Sequence, residues 1–265
     1  MPGYIHHIQW CVSSLDAIRK LLVEGYKFAE IAQRNGRNRE AVFQSGEITF
    51  LVTEKKQMSD QDYGIVYPWL DCCSRVTGGH KIDTVFNVCL EVGNVDHVYR
   101  MMKNNGAKAL VHPYTIPSIE GNVRCAVVSS PCGNVVHSLV NTQQYPGEFL
   151  PGFTSLNATT NEEPLLTHID HVTFVVNEGE TDEILDWYKS CCGMERFQIV
   201  SGDDPEEETV FTDAGMTLSA GEWISEWMCR EEGVMWEEDY KEESRNFKLV
   251  IAEPLPNRPD GHVHK

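Results

Sequence analysis

A histidine in the run from Ile169 to Val175 is the residue whose type and position could do chemistry. Side chains alternate along a strand, so His171 shares a face with Thr173 and Val175. His168 lies an odd number of positions away and points to the opposite face, so the two imidazoles cannot chelate one ion from a regular strand. By spacing alone, His171 is either a hydrogen-bonded structural histidine or a metal ligand.

The element that carries His171 is repeated in the chain. The run from Tyr4 to Val12 aligns with His168 to Val176 at an offset of 164 residues, which places His7 on His171. A helical pattern and further strands follow both copies, and a third copy begins at Val85. These βαβ(β)β modules cover about residues 4–55, 82–140 and 168–255, and their predicted helix N-caps are Ser14, Asn94 and Thr181.

A sheet covered by a single helix leaves apolar surface exposed, so a module of this kind must pair with a second one. The first two modules can pair with each other, whereas the third has no partner. We therefore expect an N-terminal half over residues 1–144, a linker over 145–166 and an incomplete second half over 167–265. A fourth module is expected beyond Lys265.

The charge balance argues against two kinds of partner. The chain has 22 Lys and Arg against 40 Asp and Glu, a net charge of −18, whereas nucleic acids and anionic membranes bind basic surfaces. The acidic stretch 203–243 holds 15 acidic and two basic residues. Its tryptophans favour a lid over their own module, with a partner-binding loop as the alternative. No run has the roughly 18 uncharged apolar residues of a transmembrane helix.

The cysteines indicate the redox state of the compartment, and the sequence motifs limit the classes of enzyme that fit the chain. Nine cysteines, an odd number, are spread along the chain without a CxxC pair, which favours reduced thiols in an intracellular compartment. The chain has no glycine-rich phosphate loop, GxSxG elbow or HExxH helix. Nucleotide-dependent transfer, serine hydrolysis and zincin chemistry therefore lack sequence support.

Several runs together resemble the 4-hydroxyphenylpyruvate dioxygenase family. They include His137 to Val140, the linker Tyr145 to Phe153 (YPGEFLPGF), Ile169 to Val172 and Ala252 to Pro254. The turn from Ala126 to Pro131 looks more like the dioxygenase-like paralogue than the parent enzyme. The resemblance implies an α+β vicinal oxygen chelate fold of tandem βαβββ modules, of which this chain holds three of an expected four.

The same resemblance implies a mononuclear Fe(II) held by two histidines and one carboxylate, with open positions for an aromatic 2-oxo acid and O2. The first histidine carries over to His171, and the other two ligands belong to the fourth module. The substrate-binding serine and asparagine of the family fall at Gly215 and Ala252, so both hydrogen-bonding side chains are lost. This loss favours 4-hydroxymandelate over homogentisate as the product, and the 265-residue chain alone is expected to be inactive.

Further expectations rest on the resemblance alone. It implies a mitochondrial protein that serves ubiquinone head-group synthesis, with the cytoplasm as the alternative location, and it is compatible with a homo-oligomer. The alternative function is a non-catalytic binding or interaction protein that keeps the scaffold without a complete iron site. In the N-terminal half, Thr84 stands where a partner module would offer a histidine. This half is therefore expected to be scaffold, with His7 and His137 satisfied by hydrogen bonds.

Overall fold

The computed structural model describes residues 3–36, 38–54, 83–133, 135–156, 163–197, 229–235 and 248–254. The chain divides into two compact units. Unit 1 comprises Met1–Ser130 and Asn134–Ile169, and unit 2 comprises Pro131–Gly133 and Asp170–Lys265. In the described ranges, no helix has both the length and the apolar character that a bilayer crossing demands. The tryptophan-bearing positions 223, 227 and 236 of the acidic stretch lie outside the described residues.

The first module of unit 1 contains one short helix and four strands. Its elements are β1 (Gly3–Val12), α1 (Leu15–Lys20), a π-helical turn (Leu21–Gly25), β2 (Ala29–Asn35), β3 (Arg39–Ser45) and β4 (Ile48–Glu54). The helix begins where predicted, because the Ser14 hydroxyl accepts a hydrogen bond from the Ala17 amide at 3.3 Å. Its apolar face packs with Phe28 and Phe43 against the sheet.

The second module repeats this plan. Its elements are β5 (Thr84–Val92), α2 (Val95–Asn104), β6 (Ala109–Pro117), β7 (Asn122–Ser129) and β8 (Val136–Asn141). The predicted cap is again confirmed, because Asn94 Oδ1 accepts from the His97 amide at 2.9 Å. Helix α2 buries Val95, Val98, Tyr99 and Met102 along one face.

The two modules share one nine-stranded sheet, in the order β6-β7-β8-β5-β1-β4-β3-β2-β9. The junction is the antiparallel pair of β1 and β5 at its centre. The linker supplies the short edge strand β9 (Thr154–Ser155), and it also places Phe149 and Leu150 in an apolar cluster with Cys89, Cys125 and Val140. The linker is therefore packed as part of unit 1.

Unit 2 contains the third copy of the plan. Its described elements are β10 (His171–Val175), α3 (Thr181–Cys192), β11 (Glu195–Phe197), β12 (Cys229–Met235) and β13 (Lys248–Pro254). The prediction that Thr181 caps α3 is wrong, because Thr181 is the first helical residue and the capping position is Glu180. The helix ends as predicted at Gly193, whose φ of 65° is the left-handed conformation typical of a helix C-terminus.

The order of the strands is the same in all three copies, which therefore share one topology. In unit 2 the order is β10-β13-β12-β11, with β10 parallel to β13. In unit 1 the corresponding orders are β1-β4-β3-β2 and β5-β8-β7-β6, and the first strand again runs parallel to the last. The self-match in the sequence therefore corresponds to a repeated βαβββ topology, and β1 is the counterpart of β10.

Candidate functional site

His171 is the first residue of β10, and its side chain is 46% exposed. Its Nδ1 lies 2.8 Å from Asp170 Oδ2, and the other oxygen of Asp170 accepts a hydrogen bond from Lys248 Nζ at 3.0 Å. These two hydrogen bonds, from His171 and then Lys248, hold the pKa of the Asp170 carboxyl below its usual value. Asp170 is therefore a stable anionic acceptor next to the imidazole.

The hydrogen bond to Asp170 determines which nitrogen of the His171 ring carries the lone pair. A neutral ring that donates Nδ1–H to a carboxylate carries its lone pair on Nε2, and Nε2 of His171 has no hydrogen-bond partner among the described residues. Histidines that bind metals commonly have such a carboxylate on the second nitrogen. The ring is thus partly exposed and, within the part of the chain that the structure describes, is hydrogen-bonded at one nitrogen alone, so His171 fits one position of a metal site.

The structure describes one of the two other predicted site residues, Ala252, but not Gly215. Ala252 lies on β13, buried and in register with Val175, and its methyl group offers no hydrogen bond. Gly215 lies outside the described residues. Within the ranges that the structure describes, no group of three candidate metal ligands includes His171. These residues therefore supply one ligand of the expected three, and the role of His171 stays a prediction.

Unit 1 carries a continuous row of buried polar side chains that crosses six adjacent strands. Asn87 on β5 donates to Ser138 on β8 at 2.8 Å and to Gln9 on β1 at 3.2 Å. Gln9 donates to Thr53 on β4 at 3.0 Å, and Thr53 donates to Glu40 on β3 at 3.0 Å. The row ends on β2 at Arg34, whose Nε donates to Glu40 at 2.6 Å. Each hydrogen bond of this row therefore joins two neighbouring strands of the sheet.

Next to this row lies a cluster of two histidines and one cysteine. One ligand atom each of His6, His7 and Cys89 lies within 4.8 Å of the other two. The Nδ1 atoms of the two histidines are 2.7 Å apart. Burial lowers the pKa of His6 to about 4, and burial followed by the neighbouring His6 lowers the pKa of His7 well below its usual value. Both imidazoles are therefore neutral, with lone pairs available.

The expectation for His137 is confirmed, because its Nδ1 lies 3.1 Å from the Val88 carbonyl oxygen. The expectation for His7 is wrong at one atom. Its Nε2 is buried and has no hydrogen-bond partner among the described residues. His6 and Cys89 were not predicted as site residues, since adjacent residues of a regular strand point to opposite faces. The pair His6-His7 was the only signal in the sequence, and its geometry depends on an irregularity of β1.

The chain is similar in sequence to two kinds of curated protein. The 4-hydroxyphenylpyruvate dioxygenase-like protein of Rattus norvegicus is 28% identical over 201 residues, which cover 76% of this chain and 51% of that protein. The human protein of the same name is 26% identical over 81% of this chain and 53% of its own length. The 4-hydroxyphenylpyruvate dioxygenase of Aspergillus fumigatus is 28% identical over 75% and 52%. No protein-family model matches the chain.

Solved structures are similar in fold. A variant of 4-hydroxymandelate synthase from Streptomyces coelicolor matches 99% of this chain and 66% of its own with a TM-score of 0.67 at 17% identity. A fusion of a xylose isomerase-like TIM barrel with 4-hydroxyphenylpyruvate dioxygenase matches 94% and 31%, with a TM-score of 0.58 at 13% identity.

The chain spans about half the length of the curated relatives that it matches. Its mixed α and β architecture, with the large sheet of unit 1, matches the fold of these solved structures. The resemblance predicted from its motifs is confirmed: the chain is similar in sequence to 4-hydroxyphenylpyruvate dioxygenase and its like protein, and it has the vicinal oxygen chelate fold.

Proposed function

We propose that this protein is a dioxygenase of the 4-hydroxyphenylpyruvate dioxygenase-like type, which acts on an aromatic 2-oxo acid and O2 with His171 as a ligand of Fe(II). The observation that carries the proposal is the exposed imidazole on β10 with Nδ1 held by Asp170. The similarity to proteins named as dioxygenases supports the reaction class. When bound, the metal supplies O2 activation and the oxidative decarboxylation of the 2-oxo acid.

The residues of this chain have two tasks in that reaction. Asp170 fixes the orientation and tautomer of the His171 ring, so that Nε2 offers its lone pair to the metal. Lys248 donates to Asp170 and keeps its carboxyl ionised, so that the carboxyl remains an acceptor. The other two metal ligands must come from groups outside the described residues.

We further propose that the ring-bearing substrate is hydroxylated at its benzylic carbon, which gives 4-hydroxymandelate and not homogentisate. Support comes from the family positions matched to Gly215 and Ala252, neither of which has a polar side chain. A site that lacks two hydrogen-bonding groups holds a polar substrate less strictly and in a different position. A mitochondrial location and a contribution to ubiquinone head-group synthesis belong to the same proposal and rest on the resemblance.

One observation favours a second candidate function, a non-catalytic binding protein that keeps the scaffold. Among the residues that the structure describes, His171 has no companions with which to complete a site for iron. A single imidazole does not hold Fe(II) against water, so an inert scaffold would have neither iron nor turnover.

The two functions are separated by CO2 release. The 265-residue chain, extended by the fourth module predicted beyond Lys265, is incubated with Fe(II), ascorbate, O2 and 4-hydroxyphenylpyruvate labelled at its carboxylate, and the product is identified by chromatography. We expect O2-dependent release of labelled CO2 and formation of 4-hydroxymandelate. The variant His171→Gln should lose at least about 100-fold in rate, whereas His168→Gln, a matched exposed histidine three residues earlier, should keep it. Absence of CO2 release by the wild-type protein would support the inert scaffold.

A further inference from the structure

We infer that His6, His7 and Cys89 of unit 1 form a binding site for a zinc-type divalent ion, separate from the predicted iron ligand His171. All three residues belong to the central strand pair of the unit, with two on β1 and one on β5. One ligand atom of each lies within 4.8 Å of the other two. An ion between them would be held by the two strands that join the first two modules.

A β-bulge explains how two adjacent histidines reach one site. Ile5 pairs with Leu90, but the next pair is His7 with Cys89, so His6 is an extra residue on β1. A bulge sets two residues of one strand against one residue of its partner and redirects their side chains. It brings the histidine Nδ1 atoms to 2.7 Å from each other, in register with the cysteine. Bulges of this kind are common next to functional sites.

The hydrogen-bond pattern of the two imidazoles is incomplete without a further group. A contact of 2.7 Å between two Nδ1 atoms satisfies one donor and one acceptor. His7 is fully buried, and its Nε2 has no partner among the described residues. A buried polar atom without a partner is costly and marks a place where an ion or another group binds.

The chemistry of the three side chains selects the ion. Two neutral imidazoles and one thiolate are typical ligands of zinc, whereas magnesium and calcium prefer oxygen. Three protein ligands also leave the fourth tetrahedral position open to water or a small ligand. Binding breaks the S–H bond of Cys89 and forms an S–Zn bond, and the released proton goes to solvent without any change of oxidation state.

The surroundings indicate a stabilising role for this site. The ring of Phe149, which comes from the linker, lies 5.5 Å from the ring of His6 and 5.2 Å from that of His7. Cys89 and Phe149 are both buried, whereas His6 is only partly buried. An ion at this point would tie β1 to β5 beneath the linker and would be reached past His6. We therefore expect metal binding to raise the thermal stability of unit 1.

The first experiment uses the full 265-residue protein, stripped with a chelator and reloaded. We expect it to retain one equivalent of Zn²⁺ after desalting, and to gain about 5 °C in unfolding temperature. With Co²⁺ it should show a sulfur-to-cobalt charge-transfer band. Cys89→Ser should abolish the band and weaken Zn²⁺ binding at least about 10-fold. Cys125 is a buried cysteine of the same apolar cluster, and Cys125→Ser should change neither the charge-transfer band nor Zn²⁺ binding. His171→Gln should also leave the band and Zn²⁺ binding unchanged.

A second measurement does not depend on how the cysteine variant folds. X-ray absorption of the zinc-loaded wild-type protein should show one sulfur at about 2.3 Å and nitrogen ligands at about 2.0–2.1 Å. His6→Gln replaces only the partly buried ligand and should remove one nitrogen while the sulfur stays. Three results would each overturn the inference. They are a zinc coordination shell without sulfur, a sulfur-to-cobalt charge-transfer band that persists in Cys89→Ser, and a wild-type protein that retains no zinc. Loss of zinc in His171→Gln alone would also contradict it.

Discussion

Gln9 and Asn87 face each other across the central strand pair of unit 1, fully buried, with Asn87 Nδ2 3.2 Å from Gln9 Oε1. The two side chains belong to different modules, so this hydrogen bond links the halves of the nine-stranded sheet. Asn87 also pairs with Ser138 on β8. One side chain therefore connects three adjacent strands.

The first prediction concerns this amide. Asn87→Ala removes the buried partner of Gln9 Oε1 and one buried partner of Ser138, and a buried polar group that loses its partner costs about 1–3 kcal/mol. We expect the free energy of unfolding to fall by about 2–4 kcal/mol in a urea titration. The matched variant Asn122→Ala, at the exposed first residue of β7, should change the free energy of unfolding by less than about 0.5 kcal/mol. Equal effects would show that the row of hydrogen bonds is not cooperative.

The second prediction concerns the ion pair at the end of the same row. Arg34 and Glu40 are both largely buried, and Arg34 also lies 4.8 Å from the centre of the Phe153 ring. Arg34→Met leaves a buried carboxylate without its cation, so we expect a loss of about 3–5 kcal/mol in unfolding free energy. Arg39→Met removes two more exposed pairs, with Glu54 and with Asp16, and should cost less than about 1 kcal/mol. Arg34→Met should also lower the unfolding temperature more than Arg39→Met does. A larger loss in Arg39→Met would refute the prediction.

The third prediction concerns pH. Burial lowers the pKa of His137 to about 4, whereas the unfolded chain has the ordinary value near 6.5. The unfolded state therefore binds more protons between about pH 4 and 6.5, so stability falls as the pH falls through this range. His137→Gln should lessen the slope by up to about 1.4 kcal/mol per pH unit, measured by urea unfolding at several pH values. The exposed variant His97→Gln should keep the wild-type slope, and an unchanged slope in both variants would contradict the burial of a neutral imidazole.

The fourth prediction concerns Asp170. Asp170→Asn keeps the size of the side chain but removes the anionic acceptor of His171 and Lys248. In the chain extended by the predicted fourth module, we expect Asp170→Asn to bind Fe(II) about 10- to 100-fold more weakly, measured under anaerobic conditions. Glu178→Gln neutralises another exposed carboxylate of unit 2, beyond the far end of β10, and should leave the affinity unchanged. If both variants bind iron as the wild type does, the carboxylate does not orient the ring.

Local signals in the sequence predicted much of the fold. The strand that carries His7 and the strand that carries His171 occupy matching positions in a repeated topology, as the self-match indicated. The caps Ser14 and Asn94 were predictable because a capping side chain bonds an amide three residues later. Thr181 was assigned to the wrong side of the helix start, since Glu180 precedes it without a capping side chain.

The sites depend more on contacts between distant strands. No local pattern reveals that β1 carries an extra residue at His6 or that Cys89 lies opposite His7. The register that pairs Gln9 with Asn87 follows from the pairing of two modules, 78 residues apart. The carboxylate partner of His171 is its own neighbour Asp170, which was not predicted because adjacent side chains of a regular strand point to opposite faces.

The most direct test of the proposed function is the affinity for Fe(II) of the chain extended by the predicted fourth module, measured with and without the imidazole of His171. The measurement is anaerobic and uses Cys89→Ser protein throughout, so that the cluster of His6, His7 and Cys89 contributes no thiolate. We predict about one equivalent of bound iron, its loss in the additional variant His171→Gln, and its retention in the additional variant His168→Gln. Iron that stays bound equally in all three proteins would contradict the role of His171.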